Sequence, residues 1–297
     1  MFDIALSVSA FVRSKTRADV AWMVSPNPST EALALTPGGG RIGSVAQGVF
    51  DSALADIANL KLSQGRLVSF TVGAFESSIS GFSEGAQTEF LVVPVDQFPE
   101  HTWSCLLNRE PVAVVCTIDS GDVTAIDTYT SDTISSASER VAELFGQGAS
   151  SVSVHENQVI TVLVPTTKLV IAGSGPIAEA LSNIATTMGW NVRMETRNDV
   201  VAGYVADMSD MDGVVIMGHN VEQSGRSLEL ALESSAGYIG ALGSLKMQEA
   251  RADWLAYRDV TDLSRVHGPA GLNIQASTPN EVAISILAEM IAVLKGL

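Results

Sequence analysis

Hydrophobic and polar positions follow two different rhythms along this chain. In the first half, β-prone runs at 19–24 and 31–35 flank the turn Pro26-Asn27-Pro28 and predict a hairpin. The glycine-rich stretch Pro37-Gly38-Gly39-Gly40-Arg41-Ile42-Gly43-Ser44 follows. It is read as a loop opening a helix over about 45–62, because Val45, Val49, Leu54, Ile57 and Leu60 lie close to helical spacing. Strands over 66–71 and 88–94 enclose a Ser/Gly-rich loop at 76–85. A helix over 100–108, a strand over 111–118, a helix over 135–146 and strands over 152–154 and 158–164 complete this half. The short polar segment Pro165-Thr166-Thr167 predicts a boundary between a first domain, 1–165, and a second, 166–297.

Past that boundary the rhythm is regular. Strands at 168–172, 191–194, 213–217 and 238–242 alternate with helical stretches ending near 189 and spanning about 225–234 and 246–257. The last helix opens at Thr278-Pro279-Asn280-Glu281, a capping box with proline in the first turn. Strands alternating with helices make a parallel sheet. The predicted fold class is α/β: a C-terminal Rossmann-type doubly wound parallel sheet preceded by a mixed α/β N-terminal domain.

The strand ends of that second domain carry the candidate chemistry. Gly173-Ser174-Gly175-Pro176 follows an apolar strand and starts an apolar-periodic helix, with small Ala178 in the third fingerprint position. Glycines there let a diphosphate approach backbone amides at a helix start. Glu195 closes the second strand, the position from which an acidic residue binds ribose hydroxyls. Arg197 can face a 2′-phosphate or stand as an exposed arginine at a helix start, so NAD and NADP both stay open. Ligands of open α/β sheets lie outside the carboxyl ends of the strands. His219, Asn220, Gly243 and Ser244 therefore join the candidate rim, with His219 as the one acid–base group able to move a proton near neutral pH. A histidine bonded to backbone at a strand end competes with that role on even terms. Gly271 and Asn273, in the small-residue loop before the last helix, and Gly43 and Ser44, in the N-terminal glycine loop, are further candidate cofactor contacts. A phosphate or pterin anion at 38–44 and a flexible hairpin exit are equally compatible with the residues.

Composition narrows the partners. A formal charge of −16 repels phosphate backbones, so nucleic acid and anionic membranes are set aside, although a basic pocket is not. No apolar run reaches the roughly 18–20 residues that span a bilayer, and the start of the chain does not read as a signal peptide. The expected location is the cytoplasm. Cys105 and Cys116 have neither metal-ligand nor disulfide-framework spacing, and the four histidines are scattered, so no metal site is expected.

Taken together, these motifs resemble the XdhC/CoxI family, maturation factors of molybdenum hydroxylases such as xanthine dehydrogenase. The residues that carry the resemblance are Tyr238-Ile239-Gly240-Ala241-Leu242-Gly243-Ser244, Pro269-Ala270-Gly271-Leu272-Asn273-Ile274, the segment from Thr278 to Glu289, and His219-Asn220 in place of the family's His-Asp. The match is fainter in the first half, around Gly39-Gly40 and Gly43-Ser44. The resemblance implies a protein, often dimeric, that binds molybdenum cofactor, supports its sulfuration with a cysteine desulfurase and hands it to an apo-hydroxylase. The chain departs from the family where thiols are expected: Val49 and Asp51 stand in the Gly-Gly-Cys-x-Glu segment, and Glu84-Gly85-Ala86 stands near the Cys-Gly-Gly segment. Asn220, Asn273 and Leu245 likewise replace ionisable residues of the family. Two alternatives stand beside this reading: an NAD(P)-dependent oxidoreductase using His219, and a non-catalytic nucleotide-binding scaffold that keeps the fold.

Overall fold

The computed structural model describes residues 1–296. The chain folds as two compact units that meet at Pro165 and Thr166 along the sequence.

In the first unit the strands are β1 (Asp19–Ser25), β2 (Ala32–Thr36), β3 (Gly40–Gly43), β4 (Arg66–Thr71), β5 (Gln87–Pro94), β6 (Val112–Asp119), β7 (Asp122–Thr130), β8 (Ser151–His155) and β9 (Gln158–Leu163). They form one sheet in the order β3-β2-β1-β5-β4-β7-β6-β9-β8, with neighbours antiparallel. The helices are α1 (Ala5–Ser14), α2 (Asp51–Asn59), α3 (Ala74–Ser80), α4 (His101–Leu107) and α5 (Glu139–Gly146). Interior strand β1 is buried from Asp19 to Val24 because both its faces are covered. Val20 and Trp22 join the core of α1 and α4, whereas Ala21 and Met23 join the core of α2. The indole nitrogen of buried Trp22 donates to Thr161 Oγ1 at 3.1 Å, so its polar atom is satisfied inside the core.

The expected hairpin is β1–β2, with Asp19 opposite Leu35. The expected helix over 45–62 is shorter and starts later. Gly40–Gly43 is a strand on β2, and α2 begins only at Asp51. Left-handed backbone at Ala46, Gln47 and Gly48 (φ 45°, 59° and 82°) breaks any earlier helix. The loop expected at 76–85 is helical through Ser80.

In the second unit, β10 (Lys168–Ala172), α6 (Pro176–Thr187), β11 (Asn191–Glu195), α7 (Asn198–Val205), β12 (Gly213–Ile216), α8 (Val221–Glu233), β13 (Tyr238–Ala241), α9 (Leu245–Ala256), β14 (Val266–His267) and α10 (Pro279–Leu294) follow one another. The sheet is wholly parallel, in the order β11-β10-β12-β13-β14. Counted within the unit this is 2-1-3-4-5, a doubly wound order whose switch point lies between β10 and β12. Helices α6 and α10 cover one face. Helices α7, α8 and α9 cover the other. Burial on both faces explains why residues 213–216 and 238–241 are buried without alternation. The capping box is formed: Thr278 Oγ1 accepts from Glu281 N and the Glu281 carboxylate accepts from Thr278 N. Among the described residues no helix is long and apolar enough to cross a membrane.

Candidate functional site

The switch point sets β10 and β12 side by side, so the turns that leave them share one crevice. Gly173 (φ 148°) donates its N–H to Glu195 O at 2.8 Å and is squeezed against the end of β12. A Cβ on Gly173 would lie 2.9 Å from Met217 Cβ, which explains this glycine by packing alone. Gly175 differs. Its φ of 113° with ψ of −180° is a conformation kept for glycine, and a Cβ there would meet nothing within 4 Å. The space beside it is open. No side chain caps α6, and Pro176 occupies its first turn. The remaining first-turn amides have no partner inside the helix and face the crevice end of the helix dipole. Ser174 is exposed, while Ala178 is buried and lets α6 sit close on the sheet.

Glu195 is the last residue of β11. Its Oε1 accepts from Thr196 N at 2.7 Å and Arg197 N at 3.0 Å, which holds the carboxyl below its usual range. Both bonds use the same oxygen, so Oε2 keeps its lone pairs for a hydroxyl donor. Arg197 turns to Asp199 through Nε at 3.2 Å and Nη2 at 2.5 Å, and a 2′-phosphate would have to compete with that pair.

His219 lies just past β12, exposed and with no hydrogen bond to another described residue, so of the two readings open for it the backbone-bonded one is not seen. Asn220 has a structural task, because its Oδ1 accepts from Gln223 N at 2.9 Å and caps α8. Gly243 (φ 132°) and exposed Ser244 lead into α9, whose start carries no side-chain cap. The loop of Gly271 and Asn273 is tied to the same rim, since Ala270 N donates to Ala241 O at the end of β13. Gly271 packs so tightly on α10 that a Cβ would overlap Ser285 Oγ. Asn273 is exposed.

Gly43 and Ser44 belong to the other unit and are not at a helix start. Gly43 pairs with Leu33 inside the sheet, and with Ser44 it lines a cavity of about 330 Å³ that also holds Asp3 and Glu31. Asp3 and Glu31, only partly offset by the Met1 ammonium, disfavour an anion on the Gly43–Ser44 side of the glycine-rich stretch, one of the two readings its residues allow. The cysteines are buried. Burial and Glu110 push the Cys105 thiol up to about 11, and burial with Asp127 pushes Cys116 up to about 12. Among the described residues, no group of three or more His, Cys, Asp or Glu could hold a metal ion.

Two features of the rim lie beyond what the sequence alone predicts. Arg251 is 1% exposed and has no carboxylate partner among the described residues. Its guanidinium instead donates to Gly218 O at 2.7 Å, Leu242 O at 2.8 Å and Ser224 Oγ at 3.0 Å, clamping the turns after β12 and β13 together. A signal for it exists: Arg251 lies on the helical stripe with Met247 and buried Leu255, where an apolar residue is expected. The second is a tie among the motif segments. Buried Tyr238 donates its hydroxyl to Glu289 Oε2 at 2.6 Å, and the same oxygen accepts from Gly271 N at 2.8 Å. Tyr238 also stacks on His267, with ring centroids 4.9 Å apart. One carboxylate on α10 thus fixes both β13 and the loop at 269–275.

A doubly wound parallel domain with a glycine turn, an uncapped helix start and an acid closing the second strand defines the Rossmann-like class of α/β domain. Within that class, residues 169–290 match the family model described as the XdhC Rossmann domain, and the C-terminal domain belongs to that family. The chain is also 26% identical over 147 residues to the uncharacterized protein YqeB of Escherichia coli K12, a match covering 42% of this chain and 27% of that protein's length. A solved structure described as a xanthine dehydrogenase from Bacillus halodurans aligns over 100% of this chain and 96% of its own, at 18% identity and a TM-score of 0.45.

Proposed function

We propose that the protein binds and handles molybdenum cofactor in the maturation of a molybdenum hydroxylase of the xanthine dehydrogenase or CO dehydrogenase type, with a nucleotide seated on the rim of the C-terminal domain. The observation that carries the reading is the open space at Gly175 beside an uncapped helix, in a domain of the XdhC family. A diphosphate fits the amides of the turn, and Glu195 Oε2 takes a ribose hydroxyl. NAD, NADP and a pterin dinucleotide share that portion. The Gly243–Ser244 turn and the Gly271–Asn273 loop form the far side of the rim, where the rest of the cofactor would lie. Neither cysteine is placed to ligate molybdenum or accept sulfur, because both thiols are buried and held protonated. Sulfur would therefore come from a partner cysteine desulfurase, and the recipient is an apo-hydroxylase. A homodimer completes the proposal.

The test is a hydroxylase produced with and without this protein, assayed for molybdenum and for sulfurated cofactor. A fully metallated and sulfurated enzyme in its absence refutes the role. A second reading, an NAD(P)-dependent oxidoreductase, is favoured by one observation: His219 stands exposed and unpartnered among the described residues, beside the switch point. Substrate-dependent oxidation of NADH or NADPH that falls in His219→Asn would support it.

A further inference from the structure

The N-terminal unit holds a cavity of about 690 Å³, within the size range of small-molecule sites. Its lining contrasts with the rest of the molecule. The chain has 33 acidic and 17 basic residues, yet this lining contains Arg17, Arg41 and Lys61 and no acidic residue. The three cations come from separate places: the link between α1 and β1, strand β3, and the segment after α2. Phe11, Pro37 and Ile42 supply an apolar wall. Such a meeting of cations in an acidic protein focuses a positive potential in one concavity.

The cations are only partly engaged. Lys61 is exposed and has no partner among the described residues. Arg41 reaches Ser52 Oγ at 3.3 Å, with Asp51 close by. Arg17 donates to Leu62 O and stands 3.6 Å from Asp19, while its Nε is buried without an acceptor. Asp19 offsets part of the Arg17 charge and Asp51 part of the Arg41 charge, so Lys61 carries the least compensated positive charge.

We propose that this cavity binds a small organic anion, a phosphate ester on a flat apolar body. The phosphate would pair with Arg41, Lys61 and Arg17, and the ring would lie against Phe11 and Ile42. The site is separate from the nucleotide rim and does not depend on the function proposed for it.

The test is calorimetric titration of the intact protein with phenyl phosphate, with inorganic phosphate and phenol as the separate halves of the probe. Saturable binding of phenyl phosphate, tighter than either half, is expected. The Arg41→Gln/Lys61→Gln double variant should weaken it about tenfold or more, since charge-assisted bonds to phosphate are lost, and Arg226→Gln, which removes an exposed cation of α8 outside the cavity, should leave it unchanged. Should the double variant fail to fold, Lys61→Gln alone, at an exposed and unpartnered side chain, should still weaken binding severalfold. The proposal is overturned if phenyl phosphate does not saturate, if inorganic phosphate binds as tightly, if the cation variants bind like the parent, or if Arg226→Gln weakens binding as much as they do.

Discussion

Asp19 opens the interior strand β1 of the N-terminal sheet with 0% of its surface exposed, and neither carboxylate oxygen has a hydrogen-bond partner. Burial is the main cause that lifts its carboxyl from 3.8 to about 6; Arg17 opposes the rise and Asp96 adds to it. A carboxyl whose pKa rises on folding contributes stability that is fully present below about pH 4 and is lost as pH climbs through about 6. At 1.36 kcal/mol per pKa unit, ionising Asp19 in the folded state costs roughly 3 kcal/mol. Asp19→Asn removes that cost at neutral pH and removes nothing at pH 4, where the parent side chain is already neutral. The gain in stability of the variant should therefore grow by roughly 2–3 kcal/mol between pH 4 and pH 7.5. Urea unfolding at several pH values measures it, with Trp190 and Trp254 changed to Phe so that the fluorescence of Trp22 and Trp103 reports the N-terminal unit alone. Because the difference is taken across pH, any fixed penalty of burying the asparagine amide cancels. A stability difference that stays flat with pH would refute the reasoning.

Three more outcomes follow from the packing. Arg251→Met should destabilise the C-terminal unit by about 3 kcal/mol in urea unfolding, because the carbonyls of Gly218 and Leu242 are left without their donor and cannot be substituted away. Tyr238→Phe should cost about 2 kcal/mol, the value of a buried bond to a carboxylate, and should raise amide exchange at Gly271 and its neighbours as the loop loosens. Native protein at pH 7.5 should resist alkylation by iodoacetamide at both Cys105 and Cys116, since burial holds each thiol protonated; rapid labelling of either would reopen a thiol role.

Most of the C-terminal unit is legible in the sequence because its physics repeats: buried strands β10, β12 and β13 are apolar runs followed by a glycine turn or a cap, whereas edge strand β11 is mixed and its turn carries neither. Thr278 to Glu281 announce their helix, and Gly173 to Ala178 announce theirs. The N-terminal unit is less legible where polar residues form a strand. In β7, Asp122–Thr130, only Val123 is buried, and its threonines and aspartates leave no apolar alternation to read. The two-residue β14 is too short to leave any pattern. At 45–50 the apolar spacing suggests a helix, but Gly48 and its left-handed neighbours fold that stretch into a turn. On the rim, glycines and acids are visible from type and spacing. Arg251 is not, because the value of a buried arginine lies in the carbonyls brought to it by two other turns. His219 shows the reverse: its type is conspicuous, and the fold leaves it unattached to any described residue.

The most direct test of the account is equilibrium binding at the Gly173–Gly175 turn. The intact protein, titrated calorimetrically with NADH, NADPH and a pterin dinucleotide, should bind at least one of them saturably below millimolar concentration. Glu195→Gln should weaken that binding by about tenfold or more, as a charge-assisted bond to ribose is lost, and Gly175→Val should abolish it by filling the open space beside α6. No saturable binding of any of the three, or binding untouched by both variants, would contradict a nucleotide site on this rim.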